Sequence, residues 1–332
     1  MRRLPRWIVL ALATTGCVAS REQSALDPTG PHARSILTEF HVMLLVAVAV
    51  YVIVIGAIPF VARRAKDANE DVATREQRAR RVVTGCIIAS AVILVSLITW
   101  DIIQARGLEH GPDQAPIVIS LTGRQWWWEV EYVDSVANRR VRLANEIHVP
   151  VGRDVRIDLQ SRDVIHSLWI PNLRGKKDLI PGRSAMIWIR AEQPGRFRAQ
   201  CAEFCGLEHA KMALPVVAEP EPAFAAWLDR QRAVAAAPED ASALQGREVF
   251  EAGTCAACHT VMGSSAAGRV GPDLSHVGSR LTLAAGTLAN TRENLLRWIA
   301  DPQQVKPGAQ MPPSALPSNE LMALVAWLES RK

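Results

Sequence analysis

The stretch Cys201-Ala-Glu-Phe-Cys205-Gly-Leu-Glu-His209-Ala-Lys-Met212 places two thiols, an imidazole and a thioether within twelve residues. Cysteines four apart, with His at +4 and Met at +7 from the second, can converge on one point from a single folded loop. Soft sulfur donors joined by imidazole favour copper over magnesium or calcium. A mononuclear blue-copper site needs one Cys. Two cysteines between two histidines suit a pair of coppers bridged by both sulfurs, with weak axial donors completing each metal. The second His has to come from elsewhere, and Asp163-Val-Ile-His166-Ser-Leu-Trp169 supplies it. Two plainer readings stand beside this one. A Cys pair in an exported segment is a disulfide candidate, and Cys/His sets usually hold zinc. Met212 weighs against zinc, which has little use for a thioether.

The pattern Cys-x-Glu-x-Cys-x3-His-x2-Met resembles the dinuclear copper A loop of subunit II of haem–copper cytochrome c oxidases. The likeness continues through Gly123-Arg-Gln-Trp-Trp-Trp128, Asp163 to Trp169, and Lys176-Lys-Asp178-Leu-Ile-Pro-Gly-Arg183, and covers roughly residues 35 to 230. It implies that Cys201 and Cys205 bridge both coppers and that His166 and His209 each bind one. It makes Met212 a weak axial ligand to one copper and the Glu203 backbone carbonyl an axial ligand to the other. The Glu203 side chain is then free for a magnesium ion shared with subunit I. The resemblance makes Trp126 the aromatic through which electrons arrive, and it turns Lys176, Asp178 and Arg183 toward subunit I. Read without it, those three are solvated loop charges. Asp163, three before His166, either braces the site or the interface or is a surface charge.

The chain has 332 residues, enough for two or three domains. Its 38 Lys/Arg and 33 Asp/Glu are interspersed and leave a net charge of only +5, which gives no nucleic-acid footprint. Met1-Arg-Arg-Leu-Pro-Arg6 followed by an apolar run reads as a secretory signal over residues 1–16. Thr14-Thr-Gly16-Cys17 resembles a lipoprotein processing site, which would make Cys17 a lipid anchor; an ordinary or uncleaved signal is the alternative.

Residues 17–37 form a short external segment, and a transmembrane hairpin follows over 38–104. Its spans, about 40–61 and 82–102, each approach the ~20 apolar residues that cross a hydrocarbon core. The intervening loop 62–81 carries Arg63, Arg64, Lys66, Arg75, Arg78, Arg80 and Arg81, so it is cytoplasmic and everything after about Asp101 is periplasmic. Cys86 in the second span reads as a packing residue. In the oxidase family a glutamate near this point sits at the mouth of a proton channel; Glu76 is the local candidate, but Arg78, Arg80 and Arg81 occupy the nearer positions.

Residues 105–232 change to short β runs separated by Gly, Pro and charged turns. The runs 117–121, 125–133, 140–149, 154–160, 185–190, 196–200 and 214–218 predict a Greek-key β-sandwich, for which the resemblance implies a cupredoxin-like fold. On a strand, Trp126 and Trp128 share one face and Trp127 the other.

A connector rich in Ala and Pro over 233–242 reads as flexible. Residues 243–332 then contain Cys255-Ala-Ala-Cys258-His259, the attachment signature of c-type haem, with His259 placed to bind iron. Met262 is too near His259 to reach the opposite face, and Met322 lies in an apolar helix where a core role is expected. Met311, on the Pro-bounded loop Lys306-Pro-Gly-Ala-Gln-Met311-Pro-Pro, is the expected sixth ligand, ahead of His276. His/Met ligation favours electron transfer. Gly271-Pro-Asp-Leu-Ser-His276 resembles the loop after the haem motif of class I cytochromes c, with the Pro272 carbonyl available to the His259 ring.

The expected architecture is a membrane-anchored multidomain chain: a two-helix transmembrane hairpin, a cupredoxin-like β-sandwich, then an all-α class I cytochrome c domain. The resemblance implies the electron-input subunit of a caa-type terminal oxidase in a bacterial inner membrane. Electrons would pass from a periplasmic donor, a cytochrome or bc-type complex, through haem c and copper A to subunit I. Subunit III and membrane lipid are further expected partners. Alternatives are an input subunit of a nitric oxide reductase, a stand-alone membrane-tethered electron carrier or a copper-handling protein. A quinol-oxidase subunit is disfavoured because the copper ligands are present.

Overall fold

The computed structural model describes residues 21–64, 71–109, 117–136 and 139–332. The signal segment 1–16, Cys17 and Lys66 lie outside the described residues. The chain divides into one unit of residues 34–111 and a second formed by 1–33 with 112–332.

The first unit is built from two long helices, α1 (Pro31–Arg64) and α2 (Val72–Glu109). Large apolar side chains such as Tyr51, Ile58, Ile87 and Val95 are exposed on them, which suits lipid and not water. At 1.5 Å per residue, the 33 residues Pro31–Arg63 extend about 50 Å, well beyond a hydrocarbon core of ~30 Å. Both helices therefore overrun the apolar stretches that identify them. The expected loop 62–81 is correspondingly shorter, because residues 72–81, including Arg75, Arg78, Arg80 and Arg81, continue α2. Helical hydrogen bonds are internal to the backbone and do not depend on the side chains being apolar. Cys86 is exposed on α2, not packed as expected.

The second unit begins as a sandwich of two five-stranded sheets. One orders β3 (Val141–Ala144), β2 (Trp127–Val133), β1 (Ile117–Arg124), β5 (Val155–Ser161) and β8 (Ala185–Ile189). The other orders β4 (Ile147–Pro150), β10 (Ala213–Glu219), β9 (Gly195–Cys201), β6 (His166–Ile170) and β7 (Arg174–Leu179). Pairings β1–β5 and β4–β10 are parallel and the remainder antiparallel. Alternation sets the inner faces: Val155, Ile157 and Leu159 are buried, while Arg156 and Asp158 between them are not. The same period in β9 buries Phe197, Ala199 and Cys201, so the first thiol of the metal loop arrives on the core side.

Two expectations need correction. The run 140–149 is two strands in different sheets, β3 and β4, broken at Asn145, whose φ is 60°. Asn145 exchanges bonds with Trp128, its amide donating to the Trp128 carbonyl at 2.9 Å and its Oδ1 accepting from the Trp128 amide at 2.8 Å. An Asn tolerates this backbone region and satisfies the crossover locally. Strands β6 and β7 went unrecognised because β7 is charged and β6 begins with His and Ser.

Residues 21–33, expected to be a separate segment, are part of the sandwich. The fully buried Asn172 donates to the carbonyls of Arg21 and Asp27, both at 2.9 Å, and accepts from the Ser24 amide at 3.1 Å. A Cβ on Gly30 would lie 2.4 Å from the Arg190 carbonyl oxygen, so the strap lies flat against the domain only because that residue is glycine.

After α3 (Glu221–Arg232) comes the helical domain: α4 (Ala241–Ala252), α5 (Cys255–Cys258), α6 (Arg292–Ala300), α7 (Pro302–Val305) and α8 (Ser318–Glu329). A two-residue-per-strand hairpin, Thr282–Leu283 with Leu288–Ala289, interrupts the all-α pattern. Helices α4 and α8 meet where Gly246 faces the Ala323 carbonyl, an imagined Cβ lying only 2.0 Å from that oxygen. Phe250 and Trp327 pack at 4.8 Å in the core beside them. Met322, expected in the core, is exposed on the outer face of α8. The connector is tied down: Arg331 donates to the Ala236 carbonyl at 2.8 Å, and Ala235 is buried.

Candidate functional site

At one end of the sandwich, β6, β9 and the loop into β10 bring the first donor set together. The Cys201 and Cys205 sulfurs lie 3.7 Å apart, too far for a disulfide at ~2.05 Å and close enough to share metal. His166 Nδ1 is 3.8 Å from Cys201 Sγ, and His209 Nδ1 is 3.5 Å from Cys205 Sγ. Met212 Sδ is 3.8 Å from Cys205 Sγ, and the Glu203 carbonyl oxygen is 3.3 Å from Cys201 Sγ. Two sulfurs are thus flanked by two imidazoles, one thioether and one carbonyl. His166, Cys201, Cys205 and Met212 are buried.

The protonation of the pair is shared. A hydrogen bond from Cys205 holds Cys201 well below the usual thiol range against the opposing effect of burial, and the same bond drives Cys205 upward. Two adjacent sulfurs hold one proton between them, which leaves a thiolate ready for a metal. Burial works against the His166 cation, but Cys201 and Asp163 outweigh it and raise its pKa. This donor chemistry fits two soft copper ions better than a single zinc.

The surrounding residues aim the ligands. Asp163 Oδ1 lies 2.7 Å from His166 Nε2, and Asp163 Oδ2 accepts from the Gln125 amide at 2.6 Å. Gly123 lies against the His166 ring, where a Cβ would sit 2.7 Å from Cδ2. Gln125 Nε2 and Trp126 Nε1 both donate to the Cys205 carbonyl, at 2.8 and 2.9 Å. Trp126 is half-buried beside the loop, Trp128 is fully buried, and Trp127 lies under the Arg124 guanidinium at 5.4 Å. Gln125 and Gly123 stand inside the Gly-Arg-Gln-Trp-Trp-Trp motif, but nothing in the sequence marks which of its residues touch the metal loop. Lys176, Asp178 and Arg183 are exposed, and Asp178 also accepts from Ser167 Oγ at 2.8 Å.

In the helical domain, Cys255 and Cys258 are unpaired and half-buried on α5. His259 Nδ1 is 2.7 Å from the Pro272 carbonyl, so Nδ1 carries the proton and Nε2 is left as a metal donor. Burial lowers the His259 pKa and keeps the ring neutral, as a metal ligand requires. Gly271 permits the loop's approach, since a Cβ there would be 2.6 Å from His259 Cε1. Met311 packs on the same apolar core as Cys255 and Leu274. His276, ranked behind Met311 as the sixth ligand, is buried without a hydrogen-bond partner for either ring nitrogen. Two thiols, a neutral imidazole and a thioether around one core fit a covalently attached haem.

The family model of the periplasmic domain of cytochrome c oxidase subunit II matches residues 137–220, and that of cytochrome c matches residues 243–332. Cytochrome c oxidase subunit 2 of Alkalihalophilus pseudofirmus is 33% identical over 332 residues, covering 97% of this chain and 95% of the relative. The Bacillus subtilis protein of that name is 30% identical over 254 residues, 73% of this chain and 70% of its own. The crystallised periplasmic domain of subunit II of cytochrome oxidase from Bradyrhizobium japonicum is 31% identical, covering 36% of this chain and 95% of that one, with a TM-score of 0.34. The two apolar helices and the periplasmic domain make the chain membrane-anchored, with copper A and haem c as its implied cofactors. A likeness that runs almost end to end through a relative places this chain in the cytochrome c oxidase subunit II family, as a component of a haem–copper oxidase with a fused C-terminal cytochrome c domain.

Proposed function

We propose that the chain takes electrons from a periplasmic donor at a haem held by Cys255, Cys258, His259 and Met311. It delivers them through copper A to the oxygen-reducing centre of subunit I. The copper ligands in this reading are His166, Cys201, Cys205, His209, Met212 and the Glu203 carbonyl. When bound, the two groups supply one-electron transfer without moving protons or atoms.

The observation that carries this reading is the nearness of the two sites. The loop leading to Met311 lies on Trp126 and the metal loop. A Cβ on Gly308 would be 3.2 Å from Leu207 Cδ2 and 3.5 Å from Trp126 Cη2. Trp126 in turn donates to the Cys205 carbonyl. The chain's own residues therefore span the gap between the two donor sets, and Trp126 receives electrons from this chain's haem domain and not from a docked soluble cytochrome. From Ala243 onward eight Lys/Arg stand against seven Asp/Glu, a balance suited to a partner already in place and not to one steered by charge.

The remaining roles follow the same direction of flow. Asp163 fixes the tautomer and ring plane of His166. The exposed Lys176, Asp178 and Arg183 offer a polar face to subunit I, and the Glu203 side chain offers a carboxylate for a magnesium ion at that boundary. Subunit III and lipid at Cys17 complete the assembly in this reading.

The test is single-turnover reduction of the purified oxidase by its donor. Haem reduction preceding copper reduction, with both abolished in a His259→Ala variant, is the expected result. Copper reduction at the wild-type rate in that variant would place electron arrival elsewhere.

A further inference from the structure

Lys306 stands five residues before Met311 and is only 3% exposed. Its Nζ donates to three backbone carbonyls: Trp126 at 2.5 Å, Lys211 at 2.8 Å and Ala284 at 3.3 Å. Trp126 and Lys211 belong to the copper domain, and Ala284 belongs to the haem domain. The contact is reciprocated, since Lys211 Nζ donates to the Val305 carbonyl at 2.8 Å. Two backbone amides also cross the boundary. Ala213 N donates to the Ala285 carbonyl at 2.9 Å, and Leu281 N donates to Glu146 Oε2 at 2.8 Å.

Burying an amine of this kind is strongly unfavourable unless its hydrogens are satisfied. Lys306 meets the Trp126 and Lys211 carbonyls only when the two domains are together in this one register. Surface ion pairs between mobile side chains hold many orientations about equally well and contribute little. Three fixed carbonyls around a buried nitrogen hold one. Nothing in the sequence signals this, because a lysine in a Pro/Gly-containing loop reads as solvated.

We infer that Lys306 is a positioning residue that locks the haem-bearing domain onto the copper domain, holding the Met311 loop against Trp126 and the Cys205–Met212 loop. The inference rests on the electron-transfer reading above. It adds that transfer within the chain proceeds from a single docked state and not from a tethered search. One electron is lost by the haem iron and gained by the copper pair, and no other reactant takes part. The lock also closes the Trp126 face to soluble donors.

The experiment compares wild type with Lys306→Met in the assembled oxidase. It follows haem-to-copper transfer after rapid reduction, together with amide hydrogen exchange at Ala213 and Leu281. In the variant, exchange at those two amides accelerates at least tenfold and transfer slows at least tenfold. The haem spectrum, the copper EPR signal and the protection of Val130 and Val325 inside each domain stay unchanged. Wild-type protection at Ala213 and Leu281 in the variant overturns the lock. Lost protection with transfer at the wild-type rate overturns its part in electron flow. If the variant misfolds, as loss of protection at Val325 would reveal, the wild-type protein still decides, because free exchange at Ala213 and Leu281 there means no lock exists. Failure of haem-to-copper transfer in wild type itself would sink the electron-transfer reading instead, leaving the exchange comparison to judge the lock alone.

Discussion

Asp163 and His166 are joined by a 2.7 Å contact between carboxylate and Nε2, which leaves the imidazole's Nδ1 pointing toward Cys201 Sγ. The other carboxylate oxygen holds the Gln125 amide at 2.6 Å, so one side chain ties the metal ligand to the tryptophan motif. Outer partners of metal-bound histidines typically carry about 10–100-fold in affinity. Asp163→Ala should therefore weaken copper retention by that order in competition with a chelator, and Asp163→Asn should weaken it less. Retention equal to wild type in both variants would make Asp163 a surface charge.

Gly123 provides a second handle on the same ring. A Cβ there would stand 2.7 Å from His166 Cδ2 and 3.0 Å from Cγ, and His166 is fully buried with no room to retreat. Gly123→Ala should displace the imidazole, broaden the copper EPR signal, and cost about 1–3 kcal/mol in chemical denaturation, as overpacking does. An unperturbed EPR spectrum would show that the ring can move without consequence.

The clustered donors were legible because each cluster is local, whereas His166 and Met311 lie far from their clusters in the chain. Cys201 to Met212 and Cys255 to His259 each place their donors within a single loop or turn, so spacing alone exposes them. The strap of residues 21–33 was not legible, because its hold comes from Asn172, far along the chain and unremarkable as an isolated asparagine. The break at Asn145 was hidden for a related reason: two strands of similar composition enter different sheets, and only the positive φ separates them. Lys306 is the extreme case, since its burial exists only once two domains have met.

The strap yields its own expectation. Asn172→Ala removes donors to Arg21 and Asp27 and the acceptor for Ser24. At about 1 kcal/mol net for each hydrogen bond, the sandwich should lose roughly 2–3 kcal/mol. Residues 21–30 should become a site of early proteolytic cleavage. Cleavage kinetics indistinguishable from wild type would mean that the strap is held by its backbone bonds, Thr29 N to the Asn172 carbonyl and Ala33 N to the Leu173 carbonyl, and by the close packing at Gly30.

The haem loop makes a parallel case in the other domain. Gly271 sits so close to the His259 ring that a Cβ would be 2.6 Å from Cε1 and 2.9 Å from Nδ1, beside the bond to Pro272. Gly271→Ala should push the imidazole off axis. Haem would still attach through Cys255 and Cys258, but the low-spin visible spectrum should weaken in favour of a high-spin component. A fully low-spin spectrum would show that the loop, and not the ring, gives way.

Lys306 makes domain docking depend on pH, with a definite sign. Burial pushes its pKa from the ordinary 10.5 down to about 7; Glu208 and Cys205 work against that shift, and Lys211 works with it. In the separated domains the amine is solvated and keeps its ordinary value. Between about pH 7 and 10.5 the separated state therefore binds more protons, and docking releases one. Docking strengthens as pH rises through this window and weakens as pH falls toward 7, where the cation is buried at full cost. The neutral amine retains two hydrogens for the short contacts to Trp126 and Lys211 and gives up the longer one to Ala284. Protection factors at Ala213 and Leu281, corrected for intrinsic exchange, should climb from pH 7 to 10 in wild type and lose that climb in Lys306→Met. A flat wild-type profile would mean that the three carbonyls stabilise the ammonium enough to cancel its desolvation.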